Sequence, residues 1–190
     1  MHVSRKLVLV ALVSTLFAAS TAIAGTHPHN HNGWSIGLGV GGGTAGLSVD
    51  GGPDSDREGG VTGNFRVGYP LNEQFSLALE SNGWSKSEDG SNVTFTATTI
   101  GGAFFPSEGL VMRAGLGFGN SRFSTDLGGG TVSYTESGFG VNGGLGYEFR
   151  VLRTFAVGPQ VDFGYASFDG GSVNWVGLGI QGNWYFIPNN

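Results

Sequence analysis

The chain of 190 residues contains no cysteine. Disulfide staples, thiolate metal centres and cysteine nucleophiles are therefore excluded. Charge is nearly as scarce: 12% of residues are Asp, Glu, Lys or Arg, where a soluble domain usually carries about a quarter. Lysine occurs only as Lys6 and Lys86, so the basic stripe needed to bind nucleic acid is missing. No histidine follows His31. Beyond residue 24 no apolar run approaches the ~20 residues of a spanning helix. What is abundant is glycine, 37 residues without a triplet repeat, and aromatics, at 12%. Disorder goes with low hydrophobicity and high net charge, which is not this composition. Such a chain either aggregates or has a non-aqueous solvent.

The first 24 residues, "MHVSRKLVLVALVSTLFAASTAIA", give the route. Arg5 and Lys6 precede an apolar run from Leu7 to Ala18, and Ala22-Ile23-Ala24 completes an A-x-A cleavage site. The run is too short for a retained anchor. Residues 1–24 are therefore expected to be a cleaved signal peptide. Seven Lys and Arg then face fourteen Asp and Glu, a net charge of −7.

The rest of the chain alternates with a period of two, which marks extended strands with one apolar face. "VGLGIQGNWYF", from Val176 to Phe186, puts Val176, Leu178, Ile180, Trp184 and Phe186 on one side. Similar rows are Trp34 to Val40, Val61 to Tyr69, Phe75 to Leu79, Val93 through Phe95 and Ala97 to Phe105, Leu110 to Phe118, Phe139 to Phe149, and Phe155 to Tyr165. Eight strands result, each long enough to cross a bilayer when tilted. Short connections (70–74, 106–109 and 150–153) alternate with longer polar ones, "DGGPDSDREGG", "SKSEDGSN" and "FSTDLGGGTVSYTES". The last hairpin closes at "DGGS", from Asp169 to Ser172.

A lipocalin-like barrel would turn the apolar face inward. Two features argue for outward. The opposite face is mostly Gly, Ser, Thr and Asn with few charges, which suits a lumen better than a water-exposed surface. Trp34, Tyr69, Phe75, Phe105, Phe149, Phe155, Trp184 and Phe186 all fall beside short turns or chain ends, as an interfacial aromatic girdle would. The expected fold is an all-β, eight-stranded antiparallel up-and-down transmembrane barrel over residues 34–187. A His-containing periplasmic tail, 25–33, precedes it. From strand count, turn lengths and the ending Gly182-x-x-Tyr185-x-Ile187, the chain resembles the small outer-membrane barrels of the OmpA/OmpX type, including opacity-protein-like adhesins. That resemblance implies the outer membrane of a Gram-negative bacterium, contact with outer-membrane lipids and lipopolysaccharide, and delivery to the barrel-assembly machinery through the last strand. The family's final residue is usually Phe, whereas here Ile187-Pro188-Asn189-Asn190 trails Phe186.

Outer-membrane enzymes pair a nucleophile or carboxylate with histidine. Here the histidines of the processed chain are His27, His29 and His31, ahead of the first strand, so no catalytic residues are expected. Their tail reads as flexible, without metal or cofactor, because nothing enforces a ligand geometry. The inward positions expected to carry a polar network are Arg66, Glu80, Arg113 and Asp162, with Arg66 and Glu80 as partners. An eight-stranded barrel is just wide enough for side chains to fill, so a plugged lumen is expected. The functional reading is a non-enzymatic structural or adhesion-type protein acting through acidic outer loops on an unknown partner. The alternative is a passive carrier or narrow pore for a small hydrophobic molecule. The cleavage site gives a direct check: intact mass from outer-membrane fractions should begin at Gly25, and a species retaining Met1 would refute export.

Overall fold

The computed structural model describes His31 and residues 33–52, 55–126 and 130–186. The expected signal peptide, His27, His29 and the Ile187 ending lie outside them. Nine strands form among the described residues: β1 (Trp34–Val49), β2 (Glu58–Pro70), β3 (Phe75–Glu88), β4 (Ser91–Ser107), β5 (Leu110–Asp126), β6 (Thr131–Tyr147), β7 (Phe149–Leu152), β8 (Phe155–Phe168) and β9 (Gly171–Phe186). Every pairing is antiparallel. β6 pairs with both β5 and β8, and β1 with both β2 and β9, so the sheet closes on itself.

β6 and β7 act as one spanning strand. Gly146 pairs with Gln160 and Phe149 with Val157, so the register runs on unbroken across Glu148. The gap falls where that register sets Pro159 opposite Tyr147, and proline has no N–H to add to the ladder. The ring is thus the expected eight-stranded meander.

Its geometry follows from the register. From Gly37 the partners run to Arg66, Glu80, Thr99, Gly117, Gly140, Ala166, Val173 and back to β1 at Leu47. One circuit therefore returns ten residues further along β1, from 37 to 47. With strands ~4.7 Å apart and rising ~3.3 Å per residue, that stagger tilts them roughly 40° from the barrel axis.

Side chains sort by this closure. Leu38, Val40, Leu79, Leu116, Phe118, Leu178 and Ile180 face out and are exposed, while Asn64, Arg66, Glu80, Asn82, Arg113, Asn142, Asp162 and Asn183 face in and are buried. Glycines let the ring close over bulky groups. A Cβ on Gly164 would overlap the Trp175 indole, and one on Gly144 would lie 2.6 Å from Arg113 Nη2.

Two expectations need correction. On β4 the apolar row is inverted: Phe95, Ala97, Ala103 and Phe105 are buried in the lumen, leaving Thr94, Thr96, Thr98, Ile100 and Phe104 outside. Period two fixes which residues share a face but not which face is which. "SKSEDGSN" is not a long loop either, and within "FSTDLGGGTVSYTES" residues 123–126 and 131–137 are paired strand, leaving only 127–130 as the connection. β3 and β4 run on to a two-residue turn at Asp89 and Gly90, with φ of 48° and 78°, the left-handed pair of a tight hairpin turn.

Leu178, 53% exposed on the outer face, gives a clear test. Arg at this position should cost about 2–4 kcal/mol in lipid. Ten Gly/Ser residues inserted after the exposed Gly52 should cost only about 1 kcal/mol. Reversible unfolding in bilayers measures both, and a more damaging insertion would contradict the topology.

Candidate functional site

The lumen is filled in layers. Nearest the short turns, Glu148 sits between β6 and β7 and is buried. Its Oε1 accepts from Asn183 Nδ2 at 2.9 Å and its Oε2 accepts from the Tyr185 hydroxyl. Arg66 Nη2 lies 3.6 Å from the same carboxylate and donates to Asn183 Oδ1 at 2.8 Å. Arg150 caps the Tyr185 ring 4.1 Å from its centroid. His31 closes the layer from below: its ring stacks on Phe105 at 3.8 Å, and its Nε2 lies 3.8 Å from Glu148.

Arg113 organises the next layer. Nη1 donates to Glu80 at 2.9 Å, and Nη2 donates to Asp162 at 2.6 Å and Gln160 at 3.1 Å. Asn64 Nδ2 donates to the other Asp162 oxygen at 3.0 Å. Among the described residues, the His31 imidazole aside, the buried ionisable groups are Arg66, Arg113 and Arg150 against Glu80, Glu148 and Asp162. Three cations and three anions balance, which a low-dielectric interior requires.

Above them the lumen turns apolar. Ala45, Trp84, Phe95, Ala97, Ala166, Val173 and Trp175 form one buried cluster. Trp84 and Phe95 stack at 5.5 Å, and Trp175 Nε1 donates to Asn82. Over this floor, at the long-loop end, opens a cavity of about 470 Å³. At its edge hydrogen bonds to Glu88 and Glu58 hold Lys86 well above the ordinary lysine range.

The sequence-derived residues divide cleanly. Arg113, Glu80 and Asp162 come together. Arg66 and Glu80 are directly opposed in the β2–β3 register, yet their side chains part. Glu80 is taken by Arg113 of β5, two strands away, and Arg66 turns to Glu148 and Asn183. In so narrow a barrel, facing walls compete with neighbouring strands for each charge. Glu148 is absent from the sequence-derived network although Tyr147-Glu148-Phe149 places it on the lumen face. His31, expected in a flexible tail, is buried instead.

Of the eight expected girdle aromatics, Trp34, Tyr69, Phe75, Trp184 and Phe186 face out and are exposed, and Phe149 and Phe155 are partly so. Phe105 is the correction, since it lies in the lumen against His31. Phe104 takes the outer position and stacks on Phe75 at 4.6 Å. Trp34–Tyr69, Tyr147–Phe149 and Phe155–Trp184 are in ring contact at 5.0, 4.9 and 4.9 Å.

Comparison with solved structures shows the same fold. The attachment invasion locus protein Ail of Yersinia pestis superposes with a TM-score of 0.57 and 17% identity, covering 80% of this chain and 99% of Ail. Neisserial surface protein A gives 0.55 and 17%, covering 80% and 97%. Ail has also been solved with the heparin analogue sucrose octasulfate. A comparison with curated proteins gives no match. The model of the outer membrane protein beta-barrel domain matches residues 9–186. The chain therefore belongs to the outer-membrane β-barrel family, and its exposed apolar ring faces the lipid of a Gram-negative outer membrane.

Proposed function

We propose that this protein is a non-catalytic surface-interaction barrel, closed to passage, that presents its long-loop end to a partner outside the cell. The observation that carries this reading is the double obstruction of the lumen. A permeating molecule would have to part the Arg113–Glu80–Asp162 cluster and then the Trp84, Phe95 and Trp175 layer. That leaves the projecting end as the chemically available surface. The carrier alternative would need both layers to open.

The projecting surface has a distinctive part. β6 pairs with β5 along its length but meets β8 only from Phe139 onward. Thr131–Gly138 thus presents a strand edge above the barrel wall, with Val132 and Tyr134 each 61% exposed. Free edges of this kind accept an added strand, with backbone hydrogen bonds giving affinity. Attachment by Ail makes an adhesive role a natural reading, but a heparin-like polyanion suits this chain poorly, because its outer connections carry Asp50, Asp54, Asp56, Glu58, Glu88, Asp89, Asp126 and Asp169. At the other end, β9 would offer the barrel-assembly machinery its terminal aromatic stretch, and the girdle would sit at the lipid headgroups. Lipopolysaccharide phosphates would meet the acidic loops through bridging divalent cations.

Three results test this reading. The refolded protein should give no steady conductance in planar bilayers. Arg113→Met should cost about 3–5 kcal/mol by stranding two carboxylates, and adding Glu80→Gln with Asp162→Asn should recover most of it. On whole cells, replacing Val132 and Tyr134 by Ser should reduce attachment to protein-coated surfaces while surface level is unchanged. Conductance in the wild type, or attachment unaffected by the hairpin change, would contradict the proposal.

A further inference from the structure

The cavity at the long-loop end is independent of the β6 edge and lies on the other side of the barrel, among β1, β2, β3 and β4. Its floor and wall are Ala45, Leu47, Trp84, Val93 and Phe95, all on the lumen face. Its rim carries Asp56, Glu58, Glu88 and Asp89 against Lys86 alone, four carboxylates to one ammonium. Arg57, next to two of these acids in sequence, turns away to Asn174 Oδ1 and to the hydroxyl and carbonyl of Thr44. Lys86 is already engaged by Glu58 at 2.9 Å and by Glu88. The rim is thus acidic in excess, over an aromatic base.

From this arrangement we infer that the mouth of the barrel is a binding cup for a small organic cation with an apolar or aromatic body. About 470 Å³ lies within the range of small-molecule sites, roughly 300–1,000 Å³. The cup is blind, because the cluster below it closes the lumen, so it retains a ligand rather than passing it. An apolar body desolvates against Leu47, Val93 and the stacked Trp84 and Phe95 faces. An ammonium group is attracted by the uncompensated rim carboxylates. An anion of the same shape meets the same walls but is repelled by the rim. A bare metal ion is a poor fit, since among the described residues no group of three or more His, Asp or Glu is arranged to hold one. Nothing here requires a macromolecular partner at the β6 edge, so the two proposals stand or fall separately.

The test uses the full-length protein in zwitterionic lipid nanodiscs, labelled with 5-fluorotryptophan and titrated with benzyltrimethylammonium, benzyl alcohol and phenylacetate. The Trp84 fluorine signal, assigned with Trp84→Phe, should shift saturably with the cation, and phenylacetate should bind about tenfold more weakly. Asp56→Asn with Asp89→Asn, the two rim acids that Lys86 does not engage, should weaken the cation severalfold and leave benzyl alcohol unchanged. Val93→Phe, which fills the cup, should abolish the shift. If Val93→Phe does not fold, the charge variant decides alone. Equal binding of cation and anion, no saturable shift, or a shift at the lipid-facing Trp184 in place of Trp84 would overturn the inference.

Discussion

In the hydrocarbon of a bilayer an unpaired N–H or C=O has no water to turn to, and each one left open costs several kcal/mol. Here the demand is met by the closure of β1 onto β9, from Trp34 with Phe186 to Val49 with Gly171. Once that seam exists, the ring of eight spanning strands staggers by ten residues, and every strand acquires an inside and an outside. The sequence then obeys two solvents at once. Leucine, valine and most phenylalanines face lipid, while glycine, asparagine, paired charges and a packed set of aromatics share the narrow bore.

That narrowness makes the interior informative. Three arginines and three carboxylates cannot each be hydrated inside it, so they are arranged to neutralise one another across the ring. Glycine is the complement of each large group: Gly164 under Trp175 and Gly144 beside Arg113 have no room for a methyl. The change from an ionic lower lumen to an aromatic upper one means the two halves are filled by different physics. Charge pairing is directional and specifies partners, whereas the Trp84, Phe95 and Trp175 layer excludes water by bulk.

Much of this was legible in the residues because few folds besides a membrane barrel repeat a period of two over eight segments with aromatics sorted by height. Closure, strand order and the inward placement of Arg66, Glu80, Arg113 and Asp162 follow from that pattern. What could not be read was phase and reach. β4 carries Phe95 on its inner face because the upper lumen is itself apolar, while Phe105, at the short-turn end, points in against His31 and leaves the outer place to Phe104. The pairing of Arg66 and Glu80 failed for a different reason: adjacency on neighbouring strands competes with contact across the bore, which sequence spacing does not reveal. The extent of β3 and β4 was hidden because Ser, Lys and Glu at their ends look like loop until the Asp89-Gly90 turn is seen to join paired strands.

The central claim is that one face of every strand meets lipid and the other a filled lumen, and the four tryptophans offer the most direct measurement. Trp34 and Trp184 are 55% and 43% exposed on the outside, while Trp84 and Trp175 are buried within at 3% and 0%. Single-tryptophan versions, with the others replaced by phenylalanine, can be refolded into lipids brominated near the headgroup end of the acyl chains. Fluorescence of the Trp184-only protein should be strongly quenched and that of the Trp175-only protein hardly at all, with neither responsive to aqueous iodide. Equal quenching of both by brominated lipid, or quenching of Trp184 by iodide alone, would mean that the apolar faces do not meet the membrane, and the account would fail.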